Sequence, residues 1–512
     1  MSLPWKPKKF KFARAGWGIL CMVLVTSCVQ EYGEVPGVHE RVQELRPTSP
    51  DHPRGYEEAV EIRSFPSIDG HARVWWATEG VDRPPGADRN ESGVPDFVEL
   101  VAGVADEVQG FLIDEGIFRL PIVDSTLMSD PDDYGLDDRF DIYLKDFGGA
   151  GDGHFSVDAC VEPEGVRRCT GHMVLENDFS PLYYPSLDYA VRVVVPHEYF
   201  HAVQFAYNAE MPAWWAEGTA TWFEEYFYPE QDDFERLTRF YFESPERSLT
   251  DRPRAPSDAF AYGASIFVYF LEHEVGVGAI VEMMERMALG EGALDAVVEV
   301  VEEHAGSFEE AFSLFGVFNV FTGSRAVEGQ GYPQAHRFNE VDVVELDGSR
   351  AVNWDVQVSP MAARFGRIEV TRPIEVSTGA IEGYGGVRAV AVSGPEFART
   401  GRVDILSDDD VKAFGPEDSP VFLVVTQGQA PGDGATRIAL RAVRDEEPGE
   451  PDVGEPVDEL PAVDIGGDGG GDEAGGCVSA SSAAPSPLTN LSLLLVMLLF
   501  VKRRFGVRYE RS

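Results

Sequence analysis

Two histidines four residues apart flank a glutamate within an apolar run, Val193-Val194-Val195-Pro196-His197-Glu198-Tyr199-Phe200-His201-Ala202-Val203. At about 3.6 residues per turn such positions share one helix face, so both imidazoles can reach a single metal ion while Glu198 projects beside them toward a water on that ion. Further along comes Trp214-Trp215-Ala216-Glu217-Gly218-Thr219-Ala220-Thr221-Trp222-Phe223-Glu224. The stretch 208–213, with Pro212 inside it, reads as a break between two helices, which lets the second helix turn back and present Glu217 to the two histidines. His, His and Glu with one open position make a catalytic rather than a structural zinc arrangement. A closed structural site would use Cys, and none is nearby.

Taken together, H-E-x-x-H and the following W-x-x-E-G-x-A resemble the gluzincin metallopeptidases, and within them a small bacterial, surface-anchored branch, over about Asp88 to Gly276. The resemblance implies zinc on His197, His201 and Glu217, Glu198 as general base, and endopeptidase action on protein or peptide substrates. The zincin class with a third histidine two turns later does not fit, because Gln204 stands where its Gly should be and Tyr207 where its His should be. One position departs from the pattern. Thermolysin-like relatives carry an Asp four residues after the zinc Glu to orient a ligand His, and here that place holds Thr221. A hydroxyl can accept a hydrogen bond, but such support tunes metal affinity by about 10- to 100-fold and is weaker here on paper. Gluzincins often hold the oxyanion with a Tyr or His. Tyr262, before Gly263, resembles that residue, since a phenol donates to developing negative charge without first being ionised. The alternative is a helix Tyr packed with its hydroxyl on the rim; His273 is a weaker substitute.

With 512 residues, 44% of them hydrophobic, the chain can furnish two or three cored domains. Its net charge of −46 argues against nucleic acid as a partner and favours an extracellular setting with basic or neutral partners and affinity for cations. Of five cysteines, Cys160 and Cys169 are placed for an internal disulfide in an oxidising compartment, with two free thiols as the alternative.

Residues 1–28 have a basic start, an apolar run and small residues before Cys28, which reads as an export signal. Val25-Thr26-Ser27-Cys28 resembles a lipobox and would make Cys28 the lipid-bearing first residue of the mature chain; an ordinary signal or an uncleaved anchor is the alternative. A polar tether is expected over 29–56 and a catalytic domain over 57–330, with a strand at Ala72–Ala77. From Asp88 to Glu99, oxygen-bearing Asp88, Asn90, Ser92, Asp96 and Glu99 are spaced as calcium ligands around Gly93, entering a helix over Pro95 to Asp114. The same residues also make an Asp/Asn-rich turn and helix cap. Phe140–Leu144 alternates as a strand, and 148–153 reads as a flexible loop. His172–Leu175 is the candidate edge strand for aligning an extended substrate. His154 and His172 could line a cleft, although each is more often an ordinary surface or packed histidine. Helices are expected at Ala259–Leu271, 278–289, 294–304 and 308–321.

Short alternating runs over 331–444 indicate a β-sandwich. Residues 445–482 form an acidic Gly/Pro stalk, 483–501 a transmembrane segment and 502–512 a basic cytoplasmic tail. Gly475-Gly476-Cys477 with the span and Arg pair resembles a bacterial C-terminal sorting tag, which would end the mature chain near Cys477; a plain membrane anchor is the alternative. Either arrangement implies export and sorting machinery as partners, contact with a membrane through the terminal segments, and a catalytic domain on the extracellular face of the cell envelope.

The expected fold class is thus α+β, a zincin-like catalytic domain followed by an all-β sandwich between terminal export and anchor segments. The expected activity is zinc-dependent endopeptidase, with calcium as a second cation. Two rivals stand beside it. One is a surface adhesin or binding module on an inactive zincin scaffold. The other is a zinc aminopeptidase, which would need an acidic group to capture a substrate amine, and the sequence does not place one.

Overall fold

The alternating run Ile62–Pro66 (β1) pairs antiparallel with Ala72–Ala77 (β2), whose apolar residues face the core. The computed structural model to which these strands belong describes residues 45–444, apart from 58, 131–133, 181–183, 256–257, 329, 349–351, 383–386, 394–401, 407–410 and 429–435. The export signal with Cys28, the stalk, the sorting motif with Cys477, the expected span and the basic tail therefore lie outside the described residues. Among the described residues no single helix is long and apolar enough to cross a membrane. The architecture is mixed α and β.

After β2 comes the helix Asp96–Glu115 (α1), followed by Phe140–Lys145 (β3), Gly153–Val161 (β4) and Arg168–Glu176 (β5). The sheet order is β1-β2-β3-β5-β4; β3 runs parallel to both β2 and β5, and β4 returns antiparallel to β5. The expected edge strand, His172–Leu175, is therefore interior. Cys169 to Glu176 are all buried, as a strand covered on both faces must be. The edge position belongs to β4, whose Cys160 lies opposite Cys169 and is joined to it by a disulfide.

The expected tether ends sooner than residue 56. The Arg46 guanidinium, 5% exposed, is buried among Asp124 at 2.8 Å, Asp158 at 2.6 Å and Asp141. Tyr56 donates its hydroxyl to the Leu144 carbonyl of β3 at 2.9 Å. A guanidinium and a phenol, neither part of a periodic pattern, make this attachment, which is why a composition-based boundary overshot it.

Two helices carry the motif residues. Leu187–Tyr207 (α2) starts at Ser186, whose Oγ accepts from the Tyr189 amide, and passes through Pro196, which forgoes one helix hydrogen bond. Ala213–Phe227 (α3) follows the turn at Pro212. Then come Asp233–Phe242 (α4), Phe260–Gly263 (α5), Ser265–Glu274 (α6), Val277–Met287 (α7), Ala293–Ala305 (α8) and Phe308–Val320 (α9). The single helix expected over 259–271 is broken at Ala264. At this bend Gly263 lies so close to α4 that a Cβ there would come within 2.6 Å of the Tyr241 amide nitrogen, whereas one at Gly218 of α3 would lie 3.4 Å from Ala264.

The remaining strands are Val344–Leu346 (β6), Val352–Val358 (β7), Ala362–Ile368 (β8), Ile374–Glu382 (β9), Val387–Ser393 (β10), Arg402–Ile405 (β11), Lys412–Phe414 (β12), Val421–Gln427 (β13) and Thr436–Arg444 (β14). They form two sheets, β11-β10-β13-β8-β6 and β12-β9-β14-β7. Val421, Leu423 and Val425 share a core with Val356, Val376, Ile438 and Leu440 of the other sheet. Phe422 and Val424 instead join the main core with Phe312 and Phe315 of α9. Residues Val421–Val425 of β13 are all apolar because both faces of the strand are buried. Gly316 makes the close contact possible, since a Cβ there would lie 2.8 Å from Val424 and Thr426.

Candidate metal centre

The Nε2 atoms of His197 and His201 lie 3.4 and 3.6 Å from one Glu217 oxygen, and each residue is at most 6% exposed. Ligand atoms of the three residues all fall within 4.8 Å of one another, so the group could hold a metal ion. The sequence brings them together through the histidine spacing on α2 and the short turn that sends α3 back against it. Apart from the two imidazoles, no described group hydrogen-bonds either Glu217 carboxylate oxygen. Burial opposes ionisation of this carboxyl, but His201 and then His197 overcome it and hold the pKa at about 2. A buried carboxylate so placed calls for a cation, and two ring nitrogens with one oxygen are a donor set that a divalent transition metal accepts.

The far side of each ring is tied back to the protein. His197 Nδ1 meets Glu224 Oε1 at 2.7 Å, and His201 Nδ1 meets Gln204 Oε1 at 2.8 Å. The Gln204 amide nitrogen donates to the Ala216 carbonyl at 2.7 Å and to Thr219 Oγ1 at 2.8 Å, while that hydroxyl donates to the Trp215 carbonyl. With its N–H groups used in this way, Gln204 can only present oxygen to His201. Nδ1 must then carry a proton, so in the neutral ring Nε2 is the nitrogen left to face the centre.

Thr221 does not take the orienting role that the family pattern assigns to its position. It is buried, and its hydroxyl makes no hydrogen bond. Glu224, two turns beyond Glu217 on the same face of α3, reaches His197 instead. Burial pushes the Glu224 carboxyl up to about 7, against the pull of His197. Both supporting residues were missed at the sequence level, although their spacing was visible: Glu224 shares a helical face with Glu217, and Gln204 with His201.

Glu198 is buried, which raises its pKa, with His201 and His197 opposing. Gly153, the first residue of β4, lies directly against it; a Cβ there would be 2.9 Å from Glu198 Cγ. The expected flexible loop over 148–153 thus ends at the edge strand and beside Glu198. The Tyr262 ring stacks on His197 with centroids 5.8 Å apart and is 6% exposed.

Other expected residues lie elsewhere. His172 is buried against Asp158 at 2.9 Å and packs on Tyr143, within the Arg46 cluster. His154 packs on Phe147, and His273 Nδ1 bonds the Tyr269 carbonyl at 2.8 Å. In the expected calcium loop, Gly93 has φ +84°, Asp88 accepts from the Ser92 and Gly93 amides, Asn90 bonds Glu99, and Asp96 accepts from the Arg89 amide. Ser92 Oγ contacts the Val94 carbonyl. These bonds make a turn leading into α1.

No family model matches the chain, and no curated protein matches it. Among solved structures, PliG from Salmonella Typhimurium, a periplasmic inhibitor of g-type lysozyme, aligns at 11% identity with a TM-score of 0.16, covering 20% of this chain and 99% of that one. A likeness at that score carries no argument about fold or function.

Proposed function

We propose that the chain is a zinc-dependent peptidase acting on protein or peptide substrates at the outer face of the cell envelope. The observation that carries this reading is the convergence of two imidazole nitrogens and one carboxylate, with each ring's other nitrogen fixed by the protein. Three such ligands suit zinc and leave a fourth position for water or substrate. A bound zinc supplies Lewis acidity, which polarises a carbonyl and makes water a stronger acid.

Glu198 takes the proton from the attacking water and delivers it to the leaving amine. Tyr262 donates a hydrogen bond to the developing oxyanion, and edge strand β4 offers backbone groups to an extended peptide. The Cys160–Cys169 disulfide suits an oxidising compartment, and the terminal segments would supply export, sorting and membrane contact. Calcium at 88–99 forms no part of this reading.

Glu198→Gln tests it. Zinc content should equal that of the unaltered protein while peptide hydrolysis falls about 10²- to 10⁴-fold. Full activity in the variant, or no zinc in the unaltered protein after loading, would refute the proposal.

A further inference from the structure

Asp152 immediately precedes β4, and the next residue, Gly153, lies against Glu198. Asp152 therefore stands one residue from the point where the base meets the strand along which an extended substrate would lie. It remains partly exposed and is held by the Tyr184 hydroxyl, which donates to Oδ2 at 2.5 Å. Among the described residues no Lys or Arg forms an ion pair with it. Arg236 lies over the Tyr184 ring at 5.7 Å, and its Nε and Nη2 are engaged by buried Asp233 at 2.9 and 2.5 Å. That guanidinium is thus bonded to Asp233, while Asp152 acts on Glu198, Asp233 and Arg236 through its charge alone.

We infer that Asp152 recognises a protonated amine on the substrate, next to the bond on which Glu198 acts. The inference rests on the peptidase reading for its reaction, but its binding step can be measured without turnover. A protonated amine has two sources in a peptide, a lysine side chain or a free N-terminus. The first makes Asp152 a selectivity subsite of an endopeptidase, and the second makes it the amine anchor of an aminopeptidase.

The probes are peptides identical except for Lys or norleucine, each with a free or an acetylated N-terminus, bound to zinc-loaded full-length Glu198→Gln with and without Asp152→Asn. Tighter binding of an amine-bearing probe by about 10-fold or more is expected, as for a charge-assisted hydrogen bond, and it should be lost with Asp152→Asn at unchanged zinc content. A preference that follows Lys irrespective of acetylation identifies the side-chain subsite; one that follows the free N-terminus identifies the amine anchor. Equal binding of amine and neutral probes, or a preference that survives Asp152→Asn, overturns the inference. If Asp152→Asn does not fold, the salt dependence of the preference in Glu198→Gln decides: an ionic contact weakens as salt rises, and an insensitive preference overturns the assignment. Turnover of the same peptides by the unaltered protein tests the peptidase reading separately.

Discussion

Glu224 and Thr221 both face the centre side of α3, yet only the longer side chain reaches His197. Glu224→Ala should lower metal affinity about 10- to 100-fold, measured by competition with a chromogenic chelator, because His197 loses the partner that fixes its tautomer. Thr221→Val should leave that affinity unchanged and hold or raise stability by roughly 1 kcal/mol, since a buried hydroxyl without a partner is removed. The reverse pattern would hand the orienting role back to Thr221. Gln204 acts similarly on His201 but through a neutral amide, so the two histidines are supported by groups of different charge.

At the scale of elements, Gly316 is where α9 meets β13. Gly316→Val would place methyl groups where Val424 and Thr426 already sit, and it should cost about 1–3 kcal/mol in urea unfolding. A neutral result would mean that helix and sheet can separate there without loss. The segment beginning at residue 45 is held in a different way. Arg46→Met leaves Asp124, Asp141 and Asp158 buried without their cation and should destabilise by roughly 3–5 kcal/mol. A loss under about 1 kcal/mol would show that the three carboxyls tolerate burial without it.

For the whole molecule, pH dependence of stability follows from buried carboxyls rather than from the net charge of −46 alone. Burial raises the Glu176 pKa from 4.5 to about 7, although the Phe147 and Asn177 amides donate to it. Between those values the unfolded chain has released the proton while the folded chain still holds it. The unfolded state therefore binds fewer protons, so this contribution is fully present below 4.5, is lost as pH rises toward about 7, and is flat above. Urea titrations at several pH values should show that decline, with a shallower one in Glu176→Gln. An equal slope in the variant would place the titration elsewhere, with Asp141, also raised to about 7 by burial, the next group to replace.

Local signals carried much of this protein. Helical spacing set His197 beside His201, alternation marked Ala72–Ala77, and the break at Pro212 set Glu217 on a separate helix, because each depends on neighbours a few residues away in the chain. Tertiary packing decided the rest. Which strand borders the sheet, where α5 bends into α6, which acid supports His197, and how Arg46 is held all depend on contacts between residues far apart in sequence, where space and charge in the packed interior select one partner among several of the same type.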